Sequence, residues 1–200
     1  MDLDETLIHC NEALHIPHDV PLSIRFPTGE KIDAGVNIRP FAVQFLQELS
    51  RICEVIVFTA SHECYANVVL NYLDPKKELV SYRLFRDHCW QTEEGIYIKD
   101  LRVLKNRNLE KMLLVDNVAY SYYYQLENGV PIIPYYDDKS DKELAKLLEY
   151  LKGVVLARKG SRKSVRKINS EYFKLEKYAQ YEEISSLAEG LYGKVLKVRK

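Results

Sequence analysis

Met1-Asp2-Leu3-Asp4-Glu5-Thr6-Leu7, continued by Ile8-His9, is the stretch from which the rest of the chain can be read. In an extended backbone, residues two apart point to the same side, so Asp2 and Asp4 can share one small volume at a strand's end. One carboxylate can then attack while the other moves protons. Two anions that close repel unless a cation or a shared proton relieves them, and a hard divalent ion with oxygen ligands, Mg²⁺, meets that need. Taken alone, the segment reads equally well as an acidic turn in which Asp caps a helix.

Three later stretches shift the balance. Val55-Ile56-Val57-Phe58 is an apolar, β-rich run that ends in Thr59-Ala60-Ser61, and a hydroxyl at the carboxyl end of a buried strand is well placed to bind phosphate. Lys99 follows the alternating run Ile96-Tyr97-Ile98, and Met112-Leu113-Leu114-Val115 is another buried strand, ending in Asp116-Asn117. Each has a plain alternative. Thr59 could cap the next helix, Lys99 could be an ordinary strand-end lysine with Lys105 and Lys111 as competitors, and Asp116-Asn117 could be a turn.

Between these points the chain alternates strand and helix. Pro40 starts a helix through about Ser50, with Phe41, Phe45, Leu46 and Leu49 as its apolar stripe; a second runs from about Glu63 to Leu73, where Asp74-Pro75 stops it. Right-handed crossovers then give a parallel sheet with helices on both faces. Residues 10 to 38, with three prolines, a Thr28-Gly29 turn and alternating apolar positions, read as a β-hairpin insertion overhanging the sheet's carboxyl end. Lone histidines there, His9, His15 and His18, are expected to face solvent. Residues 79 to 101 suggest extended pieces carrying Arg86 and Trp90 around the turn Glu93-Glu94-Gly95. Ile132-Ile133-Pro134 is expected to be a strand, and Asp141 to Leu151 a helix capped by Ser140.

The assembled pattern resembles the haloacid dehalogenase (HAD) superfamily of phosphotransferases, whose four motifs match DLDET, FTAS, Lys99 and Asp116-Asn117. Within it, DLDETLIH, Arg39-Pro40, FTAS, Tyr65, Leu84-Phe85-Arg86, IKDL and LLVDN resemble the RNA polymerase II C-terminal-domain (CTD) phosphatases and their small-phosphatase relatives, over residues 2 to 152. The resemblance implies an α/β fold with a HAD-type Rossmann-like parallel sheet and a small hairpin insertion after the first motif. It implies a Mg²⁺-dependent protein serine/threonine phosphatase, with a phosphoprotein substrate such as a polymerase-tail peptide.

Residue by residue, the resemblance makes Asp2 the nucleophile that forms an aspartyl-phosphate and Asp4 the general acid, then base. Mg²⁺ would be held by the Asp2 carboxylate, the Asp4 backbone carbonyl and the Asn117 amide oxygen, with Asp116 orienting waters and pairing with Lys99. Thr59 and Lys99 would bind phosphoryl oxygens, Arg86 would hold substrate, and Tyr65 would line the substrate groove. Small-phosphatase relatives carry an aromatic shortly after the first motif where Asn11-Glu12-Ala13 stands here. That departure weighs against a polymerase tail and leaves phosphoprotein chemistry intact. Two other readings remain: a peptide-binding module without catalysis, like the mitochondrial import subunit of this superfamily, and a phosphatase for small metabolites. A large cap insertion is lacking, which points to an open site and a macromolecular substrate.

A nucleophile at the end of a central strand calls for about four to six apolar residues before it. Only Met1 precedes Asp2. The reading is a first strand truncated ahead of Met1, the alternative being a fold that manages with a stub.

The 200 residues suit one domain of ordinary size, expected at 1–152, with an appendage at 153–200. Net charge is zero but uneven: 12 basic and 5 acidic residues from Gly153 onward leave 17 basic and 24 acidic before it. An acidic body therefore carries a basic tail, expected as a linker over Arg158–Lys167 and a helix over Ser170–Leu187. The plain account is a solvated extension whose helix docks on the body, the alternative being a patch for acidic partners or nucleic acid; no nucleic acid is expected from the body. Cys10, Cys53, Cys64 and Cys89 form no C-x-x-C pair, which speaks against zinc and for free thiols in a reducing compartment. No apolar run reaches the length of about 18 that spans a bilayer, and no signal peptide is evident. A monomer in the nucleus or cytoplasm is the expectation.

Overall fold

The computed structural model describes residues 1–11, 13–159, 162–173, 182–190 and 193–199. In chain order the elements are β1 (Ile8–Asn11), β2 (Val20–Arg25), β3 (Lys31–Ile38), α1 (Ala42–Ser50), β4 (Ile56–Phe58), α2 (Glu63–Leu73), β5 (Tyr82–Leu84), β6 (Trp90–Gln91), β7 (Tyr97–Ile98), β8 (Leu114–Asp116), β9 (Gly129–Pro131), α3 (Glu143–Lys159), α4 (Val165–Phe173), β10 (Glu182–Gly190) and β11 (Gly193–Arg199). Short 3₁₀ turns follow the site strands, among them a kinked succession over Ala119–Asn128 that is broken by non-helical backbone at Tyr122 and Gln125.

Two parallel pairs form the centre, β4 with β5 and β8 with β9. Met1 and Asp2 join them. The Met1 nitrogen donates to Ile56 O at 2.6 Å, Phe58 N donates to Met1 O at 2.8 Å, and Asp2 N donates to Val115 O at 2.9 Å. The first two bonds have the parallel pattern, so these two residues hold the central strand position and deliver Asp2 to the carboxyl ends of β4 and β8. Beneath Met1 the space between the two pairs widens into an apolar cavity of about 510 Å³, lined by Leu49, Val55, Leu113, Leu114, Leu151 and Val154 among others.

The insertion is a β2–β3 hairpin, as its turn chemistry predicts, and β1 adds to the free side of β3 to make three antiparallel strands. Helix α2 packs against β2, while α1 packs against α3. One apolar core unites Leu3, Leu7, Phe45, Leu46, Val57, Leu70 and Leu144, and a smaller one gathers Leu101, Leu114 and Tyr122. Burying such side chains contributes about 1.5–3 kcal/mol each.

Four expectations change. The strand expected at Ile132–Pro134 lies earlier, at Gly129–Pro131, because β8 pairs Leu114 with Gly129. Ile132 is buried and still donates to Asp116 O at 3.3 Å, whereas Ile133 turns out to solvent. The helix expected over 141–151 runs from Glu143 to Lys159, so the division at 152/153 falls inside it and most of the supposed linker's start is helical. Its first turn is capped by Asp141, whose Oδ1 accepts from Glu143 N at 3.0 Å, and not by Ser140. The helix expected over Ser170–Leu187 ends at Phe173 as α4; residues 182–187 belong to β10, paired antiparallel with β11, and 174–181 lie outside the described residues.

Helix α4 docks on the body. The buried Asn169 amide donates to Glu127 O and Gly129 O at 2.8 and 2.9 Å and accepts from Tyr150 OH at 2.6 Å. Basic tail meets acidic body at Arg166, which pairs with Glu110 and Glu127. Among the described residues, no helix is long and apolar enough to cross a membrane.

Candidate active site

Asp2, at the end of the central position, is buried and points its Oδ1 to Lys99 Nζ at 2.5 Å. The same ammonium reaches Asp116 Oδ2 at 2.6 Å. Lys99 itself is buried, placed by β7 and by its own N–H, which donates to Ser121 O at 2.8 Å. Lys105 and Lys111 are not in this centre. Burial and the neighbouring Asp116 charge push the Asp2 carboxyl above the ordinary range, with Lys99 opposing them. For Lys99, burial favours the neutral amine, but the charges of Asp2 and Asp116 outweigh it and hold the ammonium.

Thr6 links the nucleophile to the second acidic motif. Its Oγ1 lies 3.3 Å from Asp2 Oδ2 and 3.5 Å from Asn117 Oδ1. The Asp2 and Asp116 carboxylates thus share the Lys99 ammonium, and Thr6 brings the Asn117 amide oxygen beside Asp2. Among the described residues there is no cluster of three or more His, Cys, Asp or Glu side chains able to hold a metal. An oxygen set of two carboxylates plus an amide suits a hard cation that keeps several waters, and two buried like charges favour its arrival.

Asp4 occupies the other side, beyond the buried Leu3. Tyr65 OH donates to its Oδ1 at 2.6 Å, Ser61 Oγ to its Oδ2 at 2.7 Å, and Thr59 Oγ1 to Oδ2 at 3.3 Å. Thr59 is fixed by its N–H to Leu84 O at 2.9 Å and accepts from Ser61 N at 3.0 Å, so it shapes the loop as a cap would while facing the site. Tyr65, in the first turn of α2, turns its hydroxyl to Asp4, where sequence reading assigned it only to a groove wall. Arg86 sits in a 3₁₀ turn and not on an extended piece. Its Nε donates to Ala60 O at 2.7 Å and its guanidinium stacks over Tyr97, 5.1 Å from the ring centre, so it braces the FTAS loop. His9 meets Glu5 at 3.0 Å and His18 meets Ile16 O at 2.8 Å.

All eight site residues expected from sequence, Asp2, Asp4, Thr59, Tyr65, Arg86, Lys99, Asp116 and Asn117, lie at or beside this one centre. Sequence reading missed Thr6, Ser61 and Arg39. All three stand inside quoted motifs; for Thr6, a hydroxyl one turn from the Asp2 carboxylate was the available signal. Arg39, wholly buried, donates to Thr6 O at 3.1 Å and so holds the first motif's loop from behind.

The model of NLI interacting factor-like phosphatases matches residues 1–166. The chain belongs to that family. It is 42% identical over 158 residues to "CTD small phosphatase-like protein 2" of Dictyostelium discoideum, covering 77% of this chain and 26% of the relative. It is 39% identical over 157 residues to "CTD small phosphatase-like protein 3" of Caenorhabditis elegans, covering 77% and 53%. The chain therefore spans about a quarter to a half of the length of these curated relatives. The solved structure of Fcp1, an essential RNA polymerase II CTD phosphatase, superposes with a TM-score of 0.69 at 18% identity, over 85% of this chain and 68% of that one. The Fcp1 structure thus shares with this chain the α/β, HAD-type arrangement that the alternating strands and helices predict.

Proposed function

We propose that this chain is a Mg²⁺-dependent protein serine/threonine phosphatase domain that works through an aspartyl-phosphate on Asp2. The observation that carries the reading is the separation of two carboxylates on adjoining arms of one loop: Asp2 held by the Lys99 ammonium, Asp4 held by hydroxyls alone. Phosphate monoesters resist hydrolysis because nucleophile and ester are both anionic, so charge must be neutralised and attack aligned.

An Asp2 oxygen attacks phosphorus, and the bond from phosphorus to the serine or threonine oxygen breaks. Asp4 gives its proton to that leaving oxygen, releasing the alcohol and becoming a carboxylate. Asp4 then takes a proton from the water that attacks the aspartyl-phosphate, which frees inorganic phosphate and restores Asp2. Lys99 and the Thr59 loop hold phosphoryl oxygens by charge and hydrogen bonds. The Asp2 carboxylate, the Asp4 carbonyl and the Asn117 amide oxygen, with Asp116 behind them, would hold Mg²⁺, which would supply the remaining neutralisation of phosphoryl charge.

The family and the names of its CTD phosphatase relatives support a phosphoprotein substrate, with a polymerase-tail peptide as the first to try. The same names support a nuclear setting. A peptide-binding module would have no need of the whole set of Asp2, Asp4, Lys99, Asp116 and Asn117. The deciding experiment is hydrolysis of 4-nitrophenyl phosphate with Mg²⁺ or EDTA, beside Asp2→Asn. Metal-dependent turnover lost in the variant supports the phosphatase; no turnover in the wild type, with phosphopeptide bound, favours the binding module.

A further inference from the structure

The Asp4 carboxylate is gripped at both oxygens. Tyr65 OH donates to Oδ1 at 2.6 Å and Ser61 Oγ to Oδ2 at 2.7 Å, both short enough to be strong hydrogen bonds to an ionised group. One contact would fix a distance. Two contacts on opposite oxygens fix the plane of the carboxylate and stop its rotation. We propose that Ser61 and Tyr65 are positioning residues that aim Asp4 for proton transfer at the leaving oxygen. The inference rests on the phosphatase reading above and assigns these two side chains a task within it.

The supports of each hydroxyl are themselves rigid. Ser61 has its N–H on Thr59 Oγ1 at 3.0 Å and its carbonyl on Arg86 N at 3.0 Å, while Arg86 Nε holds the preceding carbonyl of Ala60 at 2.7 Å. Tyr65 is carried on α2, whose Ala66, Val69 and Leu70 are fully buried in the core. Burial and the nearby Asp4 charge drive the Tyr65 phenol far above its ordinary range, so it remains a neutral hydroxyl.

Hydroxyls also suit a group that must change protonation state during the cycle. A serine hydroxyl donates to a carboxylate and can accept from a carboxylic acid by rotating its hydrogen. An ammonium or guanidinium would only donate, and would oppose protonation. Asp2, which must stay anionic to attack, has the lysine; Asp4, which must lose and regain a proton, has the hydroxyls. In the first half-reaction the Asp4 O–H bond breaks and the leaving oxygen gains that hydrogen. In the second, Asp4 takes one from water, so the clamp serves both steps.

The test is the dependence of kcat/KM on the leaving group, which reports every step through cleavage of the bond from phosphorus to oxygen. The full chain, Ser61→Ala, Tyr65→Phe and Ser61→Thr are compared with Mg²⁺ on aryl phosphates from 4-nitrophenyl to phenyl. Acid assistance matters little when the leaving phenol is acidic and much when it is not. Ser61→Ala and Tyr65→Phe are expected to lose at least about tenfold more on phenyl phosphate than on 4-nitrophenyl phosphate, and Ser61→Thr to restore most of it. An equal loss across the series, or none, in variants that melt like the wild type overturns the clamp alone. Absence of Asp2-dependent turnover in the wild type overturns the phosphatase reading, and the clamp with it.

Discussion

Asp141 takes both prongs of the Arg39 guanidinium, Nε to Oδ1 and Nη2 to Oδ2 at 2.8 Å each, across 102 residues of chain. Arg39 also donates to Thr6 O and Ile133 O at 3.1 and 2.9 Å, and its side chain has no exposed surface. The ion pair ties the first motif, the end of β3 and the start of α3 into one knot.

Arg39→Met strips Asp141 of its partner in a site where its side chain is only 11% exposed. Removing one member of a buried pair costs about 3–5 kcal/mol, because the other charge is left without compensation. Urea denaturation of the variant should show that loss, and Arg39→Met/Asp141→Leu should regain part of it. A change below about 1 kcal/mol would mean that the pair is solvated in solution.

Asn169→Ala removes three hydrogen bonds and strands two backbone carbonyls and a tyrosine hydroxyl. At about 1 kcal/mol for each, and more for any group left buried without a partner, the expected loss is about 3 kcal/mol. Amide exchange over Ala119–Asn128 should quicken with it, since α4 anchors the end of that turn. Unchanged exchange there would show that α4 is not the buttress.

Mg²⁺ should raise the melting temperature, and EDTA should reverse the rise. At a concentration a hundred times its Kd, a ligand of the native state adds about 2.7 kcal/mol. Asn117→Ala should need much more Mg²⁺ for the same shift. An identical titration in that variant would remove Asn117 from the proposed ligand set.

Cys89, half-buried beside Thr59, has its thiol pushed up to about 11, chiefly by burial. Folding favours its neutral form, so this contribution to stability is full below the ordinary thiol range and is lost as pH rises toward 11. Iodoacetamide labelling of Cys89 should be slow near pH 8 and climb about tenfold per pH unit, since only the thiolate reacts. A plateau at the ordinary thiol pKa, seen by mass spectrometry, would contradict the shielding.

Elements bounded by side-chain chemistry were legible. Asp74-Pro75 ends α2 at Leu73, and the apolar runs before Thr59 and Asp116 are the strands β4 and β8. What escaped reading depends on partners remote in sequence. Gly153 looks like a helix stop, but α3 carries it through, with no side chain within 4 Å of where a Cβ would stand. Gly129 was passed over in favour of Ile132, yet it starts β9 by pairing with Leu114, and the Tyr122 ring 2.4 Å from where its Cβ would be leaves room only for glycine. The apolar spacing of Tyr172, Phe173, Leu175 and Ile184 suggested one long helix, whereas pairing with β11 takes Glu182–Gly190 into a strand. The residue types of the site were equally plain, but the direction of the Tyr65 hydroxyl follows from how α2 meets the first loop.

The carbonyl of Leu3, between the two carboxylates, accepts from Thr6, Leu7 and Ile8 N–H at 3.3, 2.8 and 3.3 Å. Glu5 is held there at a positive φ of 53°, and its own carbonyl takes the Tyr135 N–H at 2.8 Å. Such a loop can exchange exposed side chains but has no slack in length. One inserted residue would rotate Asp4 away from Asp2 and unhook every one of these bonds, whereas the β2–β3 hairpin can lengthen freely. A change in the span of the hairpin would alter what the site admits without disturbing the spacing on which its chemistry depends.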